Sequence, residues 1–159
     1  MKNYNAIGLD AAKAQDLAEK LNDLLANYSV FYINTRGFHW NIKGEKFFEL
    51  HVKFEELYNN IIVKIDDIAE RILTLSYTPI HAYSEYLKIS EIQEIKNVSD
   101  GNTAVNEILN SFKVLIFKQR VLLKTSEEAQ DEGTNALMSD YIREQEKLTW
   151  MYTSFMGRK

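Results

Sequence analysis

His51 and Glu55 stand four residues apart, and so do Asp66 and Glu70. Residues four apart share one face of a helix, so each pair can converge on a single cation. Imidazole nitrogen and carboxylate oxygen suit Fe(II), hold Fe(III) once it forms, and also fit zinc. His51 and Asp66 are about 22 Å apart along a straight helix at roughly 1.5 Å per residue. One helix therefore cannot bring both pairs to one ion. Two copies of it, antiparallel about a two-fold axis, can. His51 and Glu55 of one chain would then face the Asp66 and Glu70 positions of the other, and an isologous contact of this kind makes two identical sites.

The residues around these pairs support that arrangement. With His51 at zero and about 100° per residue, Phe54, Leu57, Ile61, Ile65, Ile68 and Ile72 fall at about 240–320°, a core stripe. Glu49, Lys53, Glu56, Asn60, Lys64, Asp67, Arg71 and Thr74 fall at about 140–220°, a wet face. The sector from about 0 to 100° holds His51, Glu55, Asp66 and Glu70 interleaved with Phe48, Val52, Ile62, Ala69 and Leu73. Ligand-type residues mixed with large apolar ones mark a second buried contact beyond the core.

Glycine and proline outline the elements that carry these faces. The glycines are Gly8, Gly37, Gly44, Gly101, Gly133 and Gly157, and Pro79 is the only proline. Helically spaced apolar residues run from Leu17 to Phe31, from Phe54 to Ile72, from Val105 to Leu123 and from Leu137 to Phe155. Asp10, Asn102 and Thr134 are candidate N-caps. Four long helices are read as an up-down bundle, with a long second connection around residues 76–101 that holds a short helix at 81–87. Strand-like alternation is absent.

Composition narrows the function. The chain has 159 residues, so one domain over 1–159 is expected. Its 19 Lys+Arg against 23 Asp+Glu give a net charge of −4, which disfavours a generally basic nucleic-acid binder. Without cysteine there is no disulfide, thiolate nucleophile or Cys-based metal site. No apolar run reaches the roughly 20 residues that span a bilayer, and MKNYNAIGLDAAKAQ lacks the apolar stretch of a secretory signal. A cytoplasmic protein with no membrane contact is expected. Phosphate loops, G-x-S-x-G elbows and H-E-x-x-H helices are absent. Arg36, Phe48 and Thr78 stand three before the histidines, so the E-x-x-H pair of a di-iron centre inside a bundle is missing too.

The segment FHWNIKGEKFFELHVKFEELYNNIIVKIDDIAERIL, residues 38–73, resembles the Dps-like miniferritins of the ferritin-like superfamily. The matching pattern is His39, His51, Glu55, Asp66 and Glu70, between an HWN-x-x-G start and a D-x-x-A-E-R end. Likeness continues through TPIHAYSEYLKIS and weakly in EQEKLTWM. Glu55 stands where Asp is common, and Ser76–Tyr77 where many members have Gly-Gly. The resemblance implies an all-α, ferritin-like four-helix bundle with the short extra helix, assembled as a hollow dodecamer with the two-fold dimer as its unit. It implies a ferroxidase site with His39, His51 and Glu55 from one chain and the Asp66 and Glu70 positions from the other. It also implies that the first helix continues past Gly37, that Fe(II) and hydrogen peroxide are the substrates, and that ferric mineral is stored in the cavity. Trp40 is implied as an aromatic that intercepts stray oxidising equivalents, or else as interface packing. Zinc in the same site, a non-catalytic metal-binding oligomer, and DNA protection are the alternatives.

Some members condense DNA through Lys-rich tails. Here the tails offer only Lys2, Arg158 and Lys159, so DNA binding is expected to be weak or absent. By resemblance the acidic corner Glu127, Glu128, Asp131 and Glu132 lies near three-fold pores, although Ala136 stands where some relatives place a pore Asp. Glu56 is a candidate for mineral nucleation or a solvated acid, and His81 is expected in an exposed loop.

Overall fold

The computed structural model describes residues 3–158, so Lys2 and Lys159 lie outside the described residues. It holds five helices: α1 (Ala11–Asn41), α2 (Phe47–Thr74), α3 (Tyr83–Ile89), α4 (Gly101–Glu128) and α5 (Glu132–Phe155). Among the described residues, β pairing is limited to one isolated bridge between Tyr4 and Asp10. The four long helices form the bundle. α1 packs on α2 and α4, α4 packs on α5, and the short α3 lies along α1. No helix is long and apolar enough to cross a membrane.

Capping explains where the helices begin. Asp10 accepts from Lys13 N, as expected for α1. The other two caps differ from the expected ones. Asp100, not Asn102, caps α4 by accepting from Thr103 N. Asp131, not Thr134, caps α5, and Thr134 is the residue that donates to it from backbone and hydroxyl. In each case an Asp stands two or three residues ahead of the weaker candidate and reaches the orphan N–H groups first. α3 begins at Tyr83 rather than at residue 81.

The three C-termini of α2, α4 and α5 share one geometry. Each ends in a residue of left-handed φ: Ser76 (75°), Gln130 (59°) and Gly157 (71°). Tyr77 N bonds back to Ile72 O and Ser76 N to Leu73 O, the paired bonds of a Schellman motif. Gln130–Asp131 and Gly157–Arg158 repeat this pattern. Only Gly157 meets the conformation without a Cβ penalty.

α1 continues through Gly37, and its C-cap Ile42 N bonds to Phe38 O. The chain then turns, and Lys43 N donates to Ser99 O at 3.0 Å, which ties the start of α2 to the start of α4. Those two helices therefore leave the same end. The expected up-down alternation is broken by the long connection, which returns the chain along the bundle before α4. Three asparagines on α1 hold that connection. Asn22 Oδ1 accepts from Ile80 N, Asn27 Oδ1 from Glu91 N and Ile92 N, and Asn34 Oδ1 from Ile95 N. Asn27 and Asn34 are buried, so these bonds satisfy backbone groups that water cannot reach.

The core is continuous along the bundle. Phe31 and Phe112 meet edge to face at 5.5 Å, and Tyr28, Phe38, Phe54, Ile61, Ile68 and Ile72 are fully buried. The expected stripe of α2 thus faces inward, with Ile65 half-buried at its margin. The expected wet face is not uniformly wet. Lys64 is buried, and its Nζ lies 2.8 Å from Glu144 Oε1 and 4.9 Å from the Tyr141 ring centre. Arg71 reaches the buried Asp131 at 2.6 Å and donates to Thr134 Oγ1. A Cβ on Gly133 would fall 2.6 Å from the Arg71 guanidinium, so glycine there leaves room for this clamp.

Candidate metal centre

The end of α1 and the first turns of α2 bring His39 and His51 together. Their rings stack with centroids 3.8 Å apart and planes 12° from parallel. His39 Nδ1 lies 2.5 Å from His51 O, and His51 Nδ1 lies 2.7 Å from His39 O. A carbonyl oxygen only accepts, so Nδ1 carries the hydrogen in both rings. In the neutral imidazole this places the lone pair on Nε2, the tautomer a metal-binding histidine needs, and neither Nε2 is engaged by a hydrogen bond within the described residues. Phe47 stacks on the far side of His51 at 4.9 Å, and Tyr58 meets His39 edge-on at 5.3 Å. His39 is buried and His51 half-buried.

Glu55 follows one turn after His51 and is exposed, with Tyr58 Oη donating to its Oε1 at 3.4 Å. Asp66 and Glu70 lie farther along α2, also exposed. Among the described residues no three His, Asp or Glu side chains come close enough to hold an ion. One protomer thus brings His39, His51 and Glu55 to one end of α2 and leaves Asp66 and Glu70 toward the other. Between and around the two groups run exposed apolar residues: Phe48 (81 % exposed), Val52, Ile62, Val63 and Leu73. Trp40, also exposed, follows His39 at the end of α1.

Four residues of this region lie outside the expected set. Phe47 and Tyr58 frame the histidines. Arg36 lies over three rings, 4.6 Å from Tyr58, 5.0 Å from Trp40 and 5.7 Å from Tyr32, and donates to Tyr32 Oη at 2.7 Å. The available signal was the spacing Tyr32–Arg36–Trp40, which places three stacking residues on one face of α1.

Among the described residues the bundle interior offers no competing ion site. Tyr28 of α1 donates to Gln119 of α4, Gln119 Nε2 to Gln145 Oε1 of α5, and Gln145 Nε2 to Tyr28 Oη. This closed ring is buried and contains neither carboxylate nor imidazole. Burial pushes the Tyr28 phenol well above its ordinary value and keeps it neutral.

The remaining candidates are dispersed. His81 is exposed, with Nδ1 bonded to Pro79 O. Glu56 is exposed and paired with Lys53. The acidic corner divides: Glu127 and Glu128 are exposed at the end of α4, while Asp131 is buried as the cap of α5 and Glu132 lies in its first turn. Asp131 is therefore committed to Arg71 and the helix rather than to an open carboxylate ring.

The fold has known counterparts. A family model described as a ferritin-like domain matches residues 18–158. A solved Dps protein from Vibrio cholerae O1, described as a member of a broad superfamily of ferritin-like diiron-carboxylate proteins, superposes with a TM-score of 0.95. It is 54% identical, over 96% of each chain. The chain belongs to the Dps-like miniferritins. Among curated Dps-named relatives, the DNA protection during starvation protein of Porphyromonas gingivalis is 37% identical over 97% of both chains. An uncharacterised protein of Haemophilus influenzae is 55% identical over 92% of both. In this miniferritin the all-α bundle, the short extra helix and the continuation of α1 past Gly37 agree with the sequence-based expectations.

Proposed function

We propose that this miniferritin is an iron-storing ferroxidase whose sites form between two copies of the chain. The observation that carries the reading is the stacked His39–His51 pair with both Nε2 atoms free, separated along an exposed apolar face from Asp66 and Glu70. Two copies related by a two-fold axis bury that face and bring each half-site to the complementary one. His39, His51 and Glu55 bind Fe(II) from one side, and the Asp66 and Glu70 positions of the other copy bind it from the opposite side. Iron here is substrate and cargo.

The donor set fits that substrate. Neutral imidazoles bind Fe(II) without adding charge, and three carboxylates balance the charge that grows on oxidation. Two Fe(II) supply both electrons that hydrogen peroxide needs, so two Fe(III) and two waters form with uptake of two protons. No hydroxyl radical is released when both electrons arrive together. The Nδ1–H bonds to backbone carbonyls hold the rings in orientation and raise their basicity. Loosely held ferric product passes to a mineral store in a hollow dodecamer.

The names of curated relatives bring in DNA protection. On this reading, removing Fe(II) and peroxide protects DNA without binding it, consistent with the net charge of −4. The test is anaerobic loading with Fe(II) followed by a peroxide pulse, in wild type and in His51→Ala plus Asp66→Ala. Two irons oxidised per peroxide, lost in the variant, is the expected result. Slow oxidation indifferent to the variant would overturn the proposal and turn attention to zinc or DNA.

A further inference from the structure

We propose that Tyr58 is a positioning residue of the iron site: its hydroxyl holds the Glu55 carboxylate by Oε1 and leaves Oε2 as the ligand oxygen, so that the acid meets Fe(II) in one orientation. This deepens the ferroxidase reading and rests on it. Tyr58 stands three residues after Glu55 on α2, on the same face of the helix. Its ring is buried and pinned by three residues of α1. Tyr32 meets it edge to face at 6.2 Å, His39 edge to face at 5.3 Å, and the Arg36 guanidinium lies 4.6 Å from its centre. Arg36 is itself tied to Tyr32 Oη at 2.7 Å.

A phenylalanine would meet every one of those contacts, since aromatic edges and cations engage the ring alone. The hydroxyl is the part of Tyr58 that packing does not need. Among the described residues it donates to Glu55 Oε1, at 3.4 Å. That is long for an O–H···O bond, and hydrogen bonds around a functional site often tighten only once the substrate is bound. Glu55 is the opposite kind of residue, an exposed acid on a long, rotamer-rich arm. Ordering such an arm on an ion costs conformational entropy, and a hydroxyl carried by a fixed ring bears part of that ordering in advance. A phenol has one hydrogen to donate, so one carboxylate oxygen is taken and the other is left. The same ring supports His39, and Tyr58 therefore touches two donors of one half-site.

The experiment uses the intact assembly and Co(II) under nitrogen, an ion that takes nitrogen and oxygen ligands without being oxidised and reports their arrangement through its visible absorption. Calorimetry gives the affinity. Wild type is compared with Tyr58→Phe, Glu55→Ala and the double variant, and Tyr58→Phe keeps all the ring contacts. Tyr58→Phe is expected to lower Co(II) affinity about fivefold to tenfold and to change the shape of the visible bands. Added to Glu55→Ala, the same substitution is expected to alter affinity by less than about twofold and to leave the bands unchanged. Affinity and spectrum of Tyr58→Phe equal to wild type overturn the proposal, since the ring then only packs. A loss of the same size in the Glu55→Ala background also overturns it, since the hydroxyl then acts through another group. His51→Ala is the control for the site itself. Co(II) binding that neither His51→Ala nor Glu55→Ala weakens overturns the shared-site reading and this proposal with it. Binding weakened by both but indifferent to Tyr58→Phe overturns the proposal alone.

Discussion

His39 and His51 exchange Nδ1–H bonds across the α1–α2 junction, each ring donating to the other's backbone carbonyl with the ring centres 3.8 Å apart. The pair is thus oriented by the backbone before any ion arrives. Removing one ring also removes the face on which the other rests. His39→Ala is expected to weaken anaerobic Fe(II) binding, measured by calorimetry, by about tenfold or more. Affinity within a factor of two of wild type would mean that His39 is only a packing residue.

The exposed apolar face of α2 predicts an assembly defect. Ile62 (42 % exposed) and Leu73 (57 %) lie within the stretch assigned to the two-fold contact. Ile62→Glu with Leu73→Glu would bury two unpaired charges per chain on association, at a cost of about 3–5 kcal/mol for each uncompensated charge. Sedimentation velocity is expected to show a smaller species while far-UV circular dichroism retains wild-type helicity. A variant that sediments like wild type places the contact elsewhere.

Ser76 carries a left-handed φ of 75° at the end of α2, where Gly157 serves the same geometry after α5. Ser76→Gly relieves a strain of about 1 kcal/mol, reduced in part by the extra freedom of glycine in the unfolded chain. A rise of about 1–3 °C in the thermal midpoint is expected for a chain of this length. A fall would show that the Ser76 side chain contributes more than its conformation costs.

Tyr28, Tyr141 and Tyr152 are all pushed above their ordinary value of 10.0, chiefly by burial. A raised folded value means that the stability from the neutral phenol is fully present below pH 10.0 and is lost as pH rises above it. Thermal midpoints should therefore be flat with respect to these groups up to about pH 9 and fall beyond pH 10. Tyr28→Phe breaks the ring with Gln119 and Gln145, so it should be less stable than wild type at pH 7 by about 1–3 kcal/mol. Its alkaline decline should be shallower, and an equally steep decline would remove Tyr28 as a contributor.

Much of this architecture was legible because it depends on periodicity along single helices. The core stripe of α2, the four long helices and the crowded sector around His51 follow from residue spacing alone. What escaped depends on partners distant in sequence. Lys64 reads as solvated by its angle on α2, yet Glu144 and Tyr141 of α5 close over it. Asp131 reads as one of four corner acids, yet Arg71 and the start of α5 take it. His39 falls outside the helical wheel of α2, so residue spacing did not reveal its pairing with His51, and only the family resemblance pointed to it. The direction of α4 depends on a connection whose path is fixed by asparagines spread along α1. The separation of the two pairs within one chain was legible, since fifteen residues of straight helix lie between His51 and Asp66, and the proposed division of the donors between two chains rests on it.

That division is tested most directly by complementation. His51→Ala and Asp66→Ala each disable one half of every site in their own assemblies. In an assembly mixed from equal amounts, half of the two-fold pairs contain one chain of each kind, and each such pair has one intact site, built from the His51 of the Asp66→Ala chain and the Asp66 of the other. About one quarter of wild-type peroxide-driven iron oxidation is therefore predicted in the mixed assembly, with almost none in either parent. Activity no greater than the mean of the two parents would contradict a site shared between chains.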